Sequence, residues 1–298
     1  MALLHTVATS IVDSVVQLHT IHHNCFQLRY LQPVFSHLEP IMTDKSKENP
    51  SLPTSGKDQL FQQQQTHLVD FAFDELVVNV FPDMIRRSVP GYETVISMLG
   101  VFAGRYVQPH SSVYDLGCSL GASTLAMRRH ITAEGCRVVG VDNSSAMIQR
   151  CQENVNQADK HGCDVPVSLV CADIQQADIQ NASLVALNFT LQFLSPDERL
   201  AMLTSIYQGL LPGGALVLSE KICFDDTNKQ EMFTDLHHDF KRANGYSDLE
   251  ISQKRQTIEN VLIPDTLEQH KERLMNAGFS SVHCWFQCFN FISLYAIK

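Results

Sequence analysis

An apolar run that ends in a glycine turn and passes straight into helix formers, SVYDLGCSLGAST from Ser112 to Thr124, commits the chain to a strand–turn–helix unit. Such a unit gathers backbone N–H groups at a helix N-terminus, where a ligand can meet them. The same step then repeats. CRVVGVD reads as a second strand, and NSSAMIQRCQENVNQA as a helix opened by an Asn/Ser cap signal. VSLVCAD and ASLVALNFT are further strands and PDERLAMLTSIYQGLL a helix, after which the PGG turn leads into a fifth strand, ALVLSEK. A helix, TLEQHKERLMNAG, and two strand-like runs, SSVHCWFQCF and FISLYAIK, close the chain. Strands alternating with helices imply a mostly parallel sheet with helices on both faces. The last two strands are joined by a few residues around Asn290, too short a link for a parallel crossover, so they pair antiparallel.

Upstream, YETVISMLGVFAGRYV places Val95, Met98, Leu99, Phe102 and Tyr106 near one helical face, ended by Pro109. Pro82 is expected to interrupt the helical spacing of FDELVVNVF. The stretch from Ile222 to Ile263 reads as less regular. Residues 1–41 lack the basic start of a secretory signal and carry Asp13, and Met42 opens a polar, Pro/Ser/Gln-rich leader. The expected organisation is therefore an N-terminal extension over 1–66, with translation starting at Met42, and an α/β domain over 67–298.

Charge and cysteines narrow the function. Lys and Arg total 22 against 32 Asp and Glu, a net charge of -10 that repels phosphate backbones. MIRRS and FKRAN are isolated basic pairs, so direct nucleic-acid binding is not expected. The nine cysteines include no C-x-x-C pair, which disfavours zinc-ribbon and thioredoxin readings. Thiols such as Cys151 and Cys171 read as small buried hydrophobes in a reducing cytosol. No apolar run approaches the roughly 20 residues of a membrane helix, so no membrane partner is expected.

The turn itself is D-x-G-x-S-x-G, from Asp115, Gly117, Ser119 and Gly121. It lacks the glycine spacing of a dinucleotide fingerprint and the lysine of a phosphate-binding P-loop. The next strand ends in Asp142 and Asn143; a carboxylate there can accept both hydrogen bonds of a ribose diol. The third ends in Asp173 and Ile174, an amine acceptor beside a ring cover, and the fourth in Asn188. Each residue has a plainer reading: a helix cap for Asp142, a turn for Asp173, a satisfied amide for Asn188. Placed in register at the carboxyl edge of one sheet, they point to a single ligand.

With YDLGCSLG, VVGVDNS, VCADI, LNFTLQFL and GLLPGGALVLSEK, the chain resembles the class I S-adenosylmethionine-dependent methyltransferases. The resemblance implies a Rossmann-like fold, a seven-stranded sheet with an antiparallel last strand. The match is diverged at Ser119, where the usual turn has its second glycine. FPDMIRRSVPGYETVISMLG, HHDFKRANGYSDLEISQKRQTIENVL and WFQCFNF resemble a narrower group, the carboxy-S-adenosyl-L-methionine synthases of bacterial tRNA wobble-uridine modification.

That resemblance implies a reaction between S-adenosylmethionine and prephenate. Prephenate releases CO2 and hydroxide as its ring aromatises, the hydroxide deprotonates the sulfonium methyl, and the resulting ylide captures CO2. The products are carboxy-S-adenosylmethionine and phenylpyruvate, and a separate tRNA carboxymethyltransferase uses the former. The cofactor then carries the difficult electronics, while the protein orients two ligands and excludes water. Cofactor contact is implied for Tyr92, for the turn residues Gly117, Cys118 and Ser119, and for the strand-end residues Asp142, Asn143, Asp173, Ile174 and Asn188. Arg255 in ISQKRQTIEN is the implied partner of the new carboxylate and the candidate catalytic residue; a guanidinium can hold a carboxylate with two parallel hydrogen bonds. By spacing it would lie on a solvated face beside Glu250 and Glu259. His237 and His238 have no third ligand nearby in sequence, so no metal is expected. Residues 222–263 read as a lid and dimer element of a cytoplasmic homodimer, from which Arg242 could reach prephenate. The residues themselves leave open an ordinary methyltransferase acting on a small molecule or tRNA, and a non-catalytic cofactor-holding protein.

Overall fold

The computed structural model describes Gly56, Asp58 and residues 75–160, 162–259 and 261–298. The expected N-terminal extension and the Met42 start lie outside these residues, apart from Gly56 and Asp58.

Seven strands form one sheet in the order β3-β2-β1-β4-β5-β7-β6. The first five are β1 (Ser112–Leu116), β2 (Arg137–Asp142), β3 (Val167–Cys171), β4 (Ala182–Asn188) and β5 (Leu210–Lys221). They pair parallel, while β7 (Phe291–Ile297) runs antiparallel to both β5 and β6 (Ser281–Cys288). This is the mostly parallel sheet with an antiparallel terminal strand that the sequence implies. β1 is buried along its whole length and β4 along all but its last residue, as strands covered on both faces must be. On one face Leu116, Leu187 and Leu216 pack with Leu203 and Ile206 of α5 (Pro196–Gly209) and Leu274 of α8 (Leu267–Asn276). On the other, Val113, Val138 and Leu184 pack with Leu99 of α2 (Tyr92–Tyr106) and Met127 of α3 (Ala122–His130).

Local signals set the helix ends. Ser144 accepts from Met147 N–H to start α4 (Ser145–Asp159), and Thr266 and Gln269 form a reciprocal capping box on α8.

Cys151 is buried as expected but Cys171, at the end of the edge strand β3, is exposed. Three further sequence expectations are corrected. α1 (Glu75–Ser88) continues through Pro82 instead of stopping there. An interior proline costs about 3 kcal/mol or more. Val77, Val78, Phe81 and Met84 are all buried in one cluster with Leu120 and Met147; at about 1.5–3 kcal/mol per buried side chain, packing outweighs the proline. β5 begins at Leu210, before the PGG turn: Leu210 pairs with Ala182 and Ala215 with Leu184, so the turn is a bulge within the strand. The stretch read as irregular contains two helices, α6 (Thr227–Ala243) and α7 (Asp248–Glu259).

The α6–α7 segment leaves and re-enters the domain at one place. Ile222 bridges Asp265, and Cys223 N–H donates to Asp265 O at 3.0 Å. Fully buried Arg199 binds Asp265 at 2.5 Å and donates to Ile263 O at 2.8 Å, and Arg273 binds the same Asp265 oxygen at 2.7 Å.

Candidate active site

The order of strands dictates where a ligand can sit. The chain reverses its direction of travel across the sheet between β1 and β4, opening a crevice at their carboxyl ends. The glycine turn follows β1 there. Gly117 has φ 82° and Gly121 φ 85°, the left-handed region that glycine enters freely. A Cβ on Gly117 would lie 2.3 Å from Thr190 Oγ1, so the turn also needs glycine for close approach to the β4 loop. Ser119 stands where the usual turn has its second glycine, and it too takes positive φ, 48°. The turn therefore keeps its glycine-like path with a serine in it, at a cost of about 1–2 kcal/mol. Two contacts hold Ser119: its N–H donates to Asp142 Oδ2 at 2.9 Å, and its hydroxyl to Met147 Sδ at 3.4 Å.

Asp142 thus ties the turn to the next strand end, because its other oxygen accepts from Ser144 N–H at 2.9 Å. Burial raises its carboxyl above the usual range, and those two N–H groups pull the other way. Asn143 donates to Asp173 Oδ1 at 2.9 Å, linking the ends of β2 and β3. Ile174 is buried behind them. Asn188 Oδ1 is buried with no hydrogen-bond partner among the described residues, an acceptor that a ligand can satisfy.

These strand ends open into a cavity of about 670 Å³. Its size lies within the roughly 300–1,000 Å³ of small-molecule sites. Gly117, Ser119, Asp142, Asn143, Asp173, Ile174 and Asn188 all line it, so seven of the expected cofactor residues share one wall. Tyr92 and Cys118 line a small pocket with Gly117, Ser119 and Asn188. Tyr92 is buried 6.4 Å from the Phe189 ring, and burial, then the nearby Asp115, push its hydroxyl well above the ordinary range. Beneath the turn, burial raises Asp115 to about 6, although Thr124 donates to it at 2.5 Å.

The rest of the cavity comes largely from the segment read as a lid, through residues other than the expected Arg242. On α6, Gln230, Thr234, His237, His238 and Lys241 face it at helical spacing. Lys221 from the end of β5 joins them, with Phe189 and Phe291 as aromatic wall. A polar stripe on a helix reads as a solvated face, so nothing in the residue pattern marked Gln230, Thr234, Lys241 or Lys221. His237 Nε2 lies 2.7 Å from Ser88 O, which makes it the protonated nitrogen, and its ring stacks edge-on at 4.9 Å from Phe291. Burial, then Lys241, with Lys221 and His238 adding, lowers His237 to about 3.

One expected residue is not brought to the cavity, and the side chain of another is not described. Arg242 is held at the surface by Asp239 at 2.7 Å and Asp248 at 2.8 Å. The backbone of Arg255 lies on α7, and its side chain is outside the described residues.

Comparison with known proteins agrees with this geometry. Residues 113–214 match the family described as a methyltransferase domain. The structure of human N-acetylserotonin methyltransferase in complex with SAM superposes with a TM-score of 0.52 at 14% identity, over 75% of this chain and 55% of that one, a likeness of fold. The carboxy-S-adenosyl-L-methionine synthase of Vibrio vulnificus strain YJ016 is 59% identical over 246 residues, covering 83% of this chain and 99% of the relative. The synthase of the same name from Vibrio cholerae O1 strain N16961 is also 59% identical, over 81% of this chain and 97% of its own length. With that identity over nearly the whole length of its relatives, the chain belongs to the carboxy-S-adenosyl-L-methionine synthase family.

Proposed function

We propose that this enzyme carboxylates the methyl group of S-adenosylmethionine with prephenate as the carboxyl donor. In a balanced reaction prephenate loses one carboxyl group as CO2 and its ring hydroxyl as hydroxide. Hydroxide takes a proton from the sulfonium methyl to give water, and the methyl carbon bonds to CO2. Phenylpyruvate leaves. The sulfonium supplies the acidity of the methyl group, since positive sulfur stabilises an adjacent carbanion.

The observation that carries this reading is one cavity with two unlike walls. Strand-end residues Asp142, Asp173 and Asn188 suit a nucleoside, and a separate region with cationic and aromatic lining suits an anionic ring compound. Asp142 accepts the ribose hydroxyls, Asp173 and Asn143 address the base, and the backbone of Gly117 and Ser119 meets the methionyl part. Arg255 pairs with the carboxylate of the product. No strong protein base is needed when the co-substrate supplies hydroxide, and His237, held neutral with its Nε2 proton on Ser88 O, is a weak one. The product then serves a separate enzyme that carboxymethylates tRNA at the wobble uridine; the working form is a cytoplasmic homodimer.

The test is to incubate the pure protein with S-adenosylmethionine, with and without prephenate, and to weigh the nucleoside product. A gain of one carboxyl group that requires prephenate is expected. Formation of S-adenosylhomocysteine with an added acceptor would instead identify an ordinary methyltransferase. In Arg255→Ala the preference for the carboxylated nucleoside over S-adenosylmethionine should fall; an equal loss for both would remove Arg255 from that role.

A further inference from the structure

Charge is divided along the cavity, and the strand order gives it a direction. Asp173 follows β3 and Asp142 ends β2, the glycine turn follows β1, Asn188 ends β4, and Lys221 ends β5. Neighbouring strands are about 4.8 Å apart, so Lys221 stands about 5–10 Å beyond the β1–β4 crevice, on the side away from the two aspartates. Lys241 of α6, one helical turn beyond His237, lines the same cavity. Glu198 also lines the cavity, bound at 2.7 Å to Ser195.

A dicarboxylate that decarboxylates has two unlike carboxyl groups. The one that leaves must lose its charge, and a cation bound to it would oppose that loss. The one that stays is charged before and after the reaction, so a cation there holds substrate and transition state equally and serves orientation. Resting on the function proposed above, we propose that Lys221 and Lys241 anchor the retained 2-oxo-acid carboxylate of the co-substrate. The ring then packs toward Phe189 and Phe291, and the departing carboxyl group points back to the β1–β4 crevice. The span from the crevice to Lys221 is one that a six-membered ring with a three-carbon side chain covers.

The two carboxylates can be told apart because phenylpyruvate keeps one and lacks the other. Titration calorimetry with prephenate, phenylpyruvate and S-adenosylmethionine is run on the wild type, Lys221→Met, Lys241→Met and Lys241→Arg. Each methionine variant should weaken prephenate and phenylpyruvate by the same factor, about ten- to a hundred-fold. S-Adenosylmethionine affinity should stay within about two-fold, the margin left by interactions not made with the nucleoside. Lys241→Arg should recover most of the loss, since it restores the charge. Weakening of prephenate without phenylpyruvate would place the lysines on the departing carboxyl group and overturn the proposal. So would unchanged affinity for both anions, an equal loss for S-adenosylmethionine, or a wild type that binds neither anion. A wild type that binds both anions yet forms no carboxylated nucleoside would end the proposed function, and the lysine assignment would still be decided by the variants.

Discussion

His237 shows how one buried side chain links packing to pH. Its Nε2 proton is fixed on Ser88 O at 2.7 Å, Phe291 covers its ring, and burial with the neighbouring Lys241, Lys221 and His238 lowers it to about 3. In the unfolded chain a histidine titrates near 6.5. Between these values the unfolded state binds a proton that the folded state refuses. Stability from this residue is thus fully present above about pH 6.5 and falls as the pH drops toward 3. At pH 5 the loss should be about 2 kcal/mol relative to pH 7. His237→Gln keeps a donor for Ser88 O and does not titrate, so unfolding free energies from denaturant titration at the two pH values should differ by about 2 kcal/mol less in the variant. At this scale the sequence was legible where chemistry follows strand ends. Asp142, Asp173 and Asn188 are found because a parallel sheet places such residues at one edge. Lys221 and Lys241 were not, because a lysine facing a cavity has the same local sequence as one facing water.

At the scale of elements, the insertion between β5 and α8 departs furthest from its sequence reading. α6 turns Thr234, His237 and Lys241 inward and leaves Met232 and Leu236 exposed, 51% and 37% accessible. Its exposed face is otherwise charged, with Lys229, Glu231, Asp235, Asp239 and Arg242, while polar residues share the inward face with half-buried Phe233 and Phe240, so amphipathic spacing alone does not mark the inward polar stripe. What fixes the insertion is its root. Against the opposing effect of burial, Arg273 and Arg199 hold the Asp265 carboxyl below its usual range. Arg199 is fully buried. Asp265→Ala should leave that guanidinium uncompensated and cost about 3–5 kcal/mol. Denaturant unfolding measures the loss, and limited proteolysis should cut within 222–263 faster than in the wild type. A variant as stable as the wild type would show that the carbonyl oxygens around Arg199, Leu194 O at 2.9 Å among them, satisfy it without the carboxylate.

Across the domain, the cavity joins two separately built halves. Its floor is the carboxyl edge of the sheet, whose hydrogen-bond ladder and buried strands make it the rigid part. Its roof is α1 and α6, tied together by His237 on Ser88 O and by Arg87, which donates to Asn244 O at 2.7 Å and stacks 3.8 Å from the Tyr246 ring. The alternating pattern of strands and helices made the floor legible from sequence. The roof depends on contacts between residues some 150 positions apart, such as Ser88 and His237, which no local pattern announces. A ligand that touches both halves must stabilise both. S-Adenosylmethionine at a hundred times its dissociation constant should raise the unfolding free energy by about 2.7 kcal/mol. Hydrogen exchange then separates the halves. The nucleoside should slow exchange at Gly117 to Leu120, and prephenate added to that complex should slow exchange along α6. If α6 responded fully to the nucleoside before prephenate arrived, its polar stripe would belong to the nucleoside site. Protection that waits for the second ligand identifies α6 as the wall that receives it.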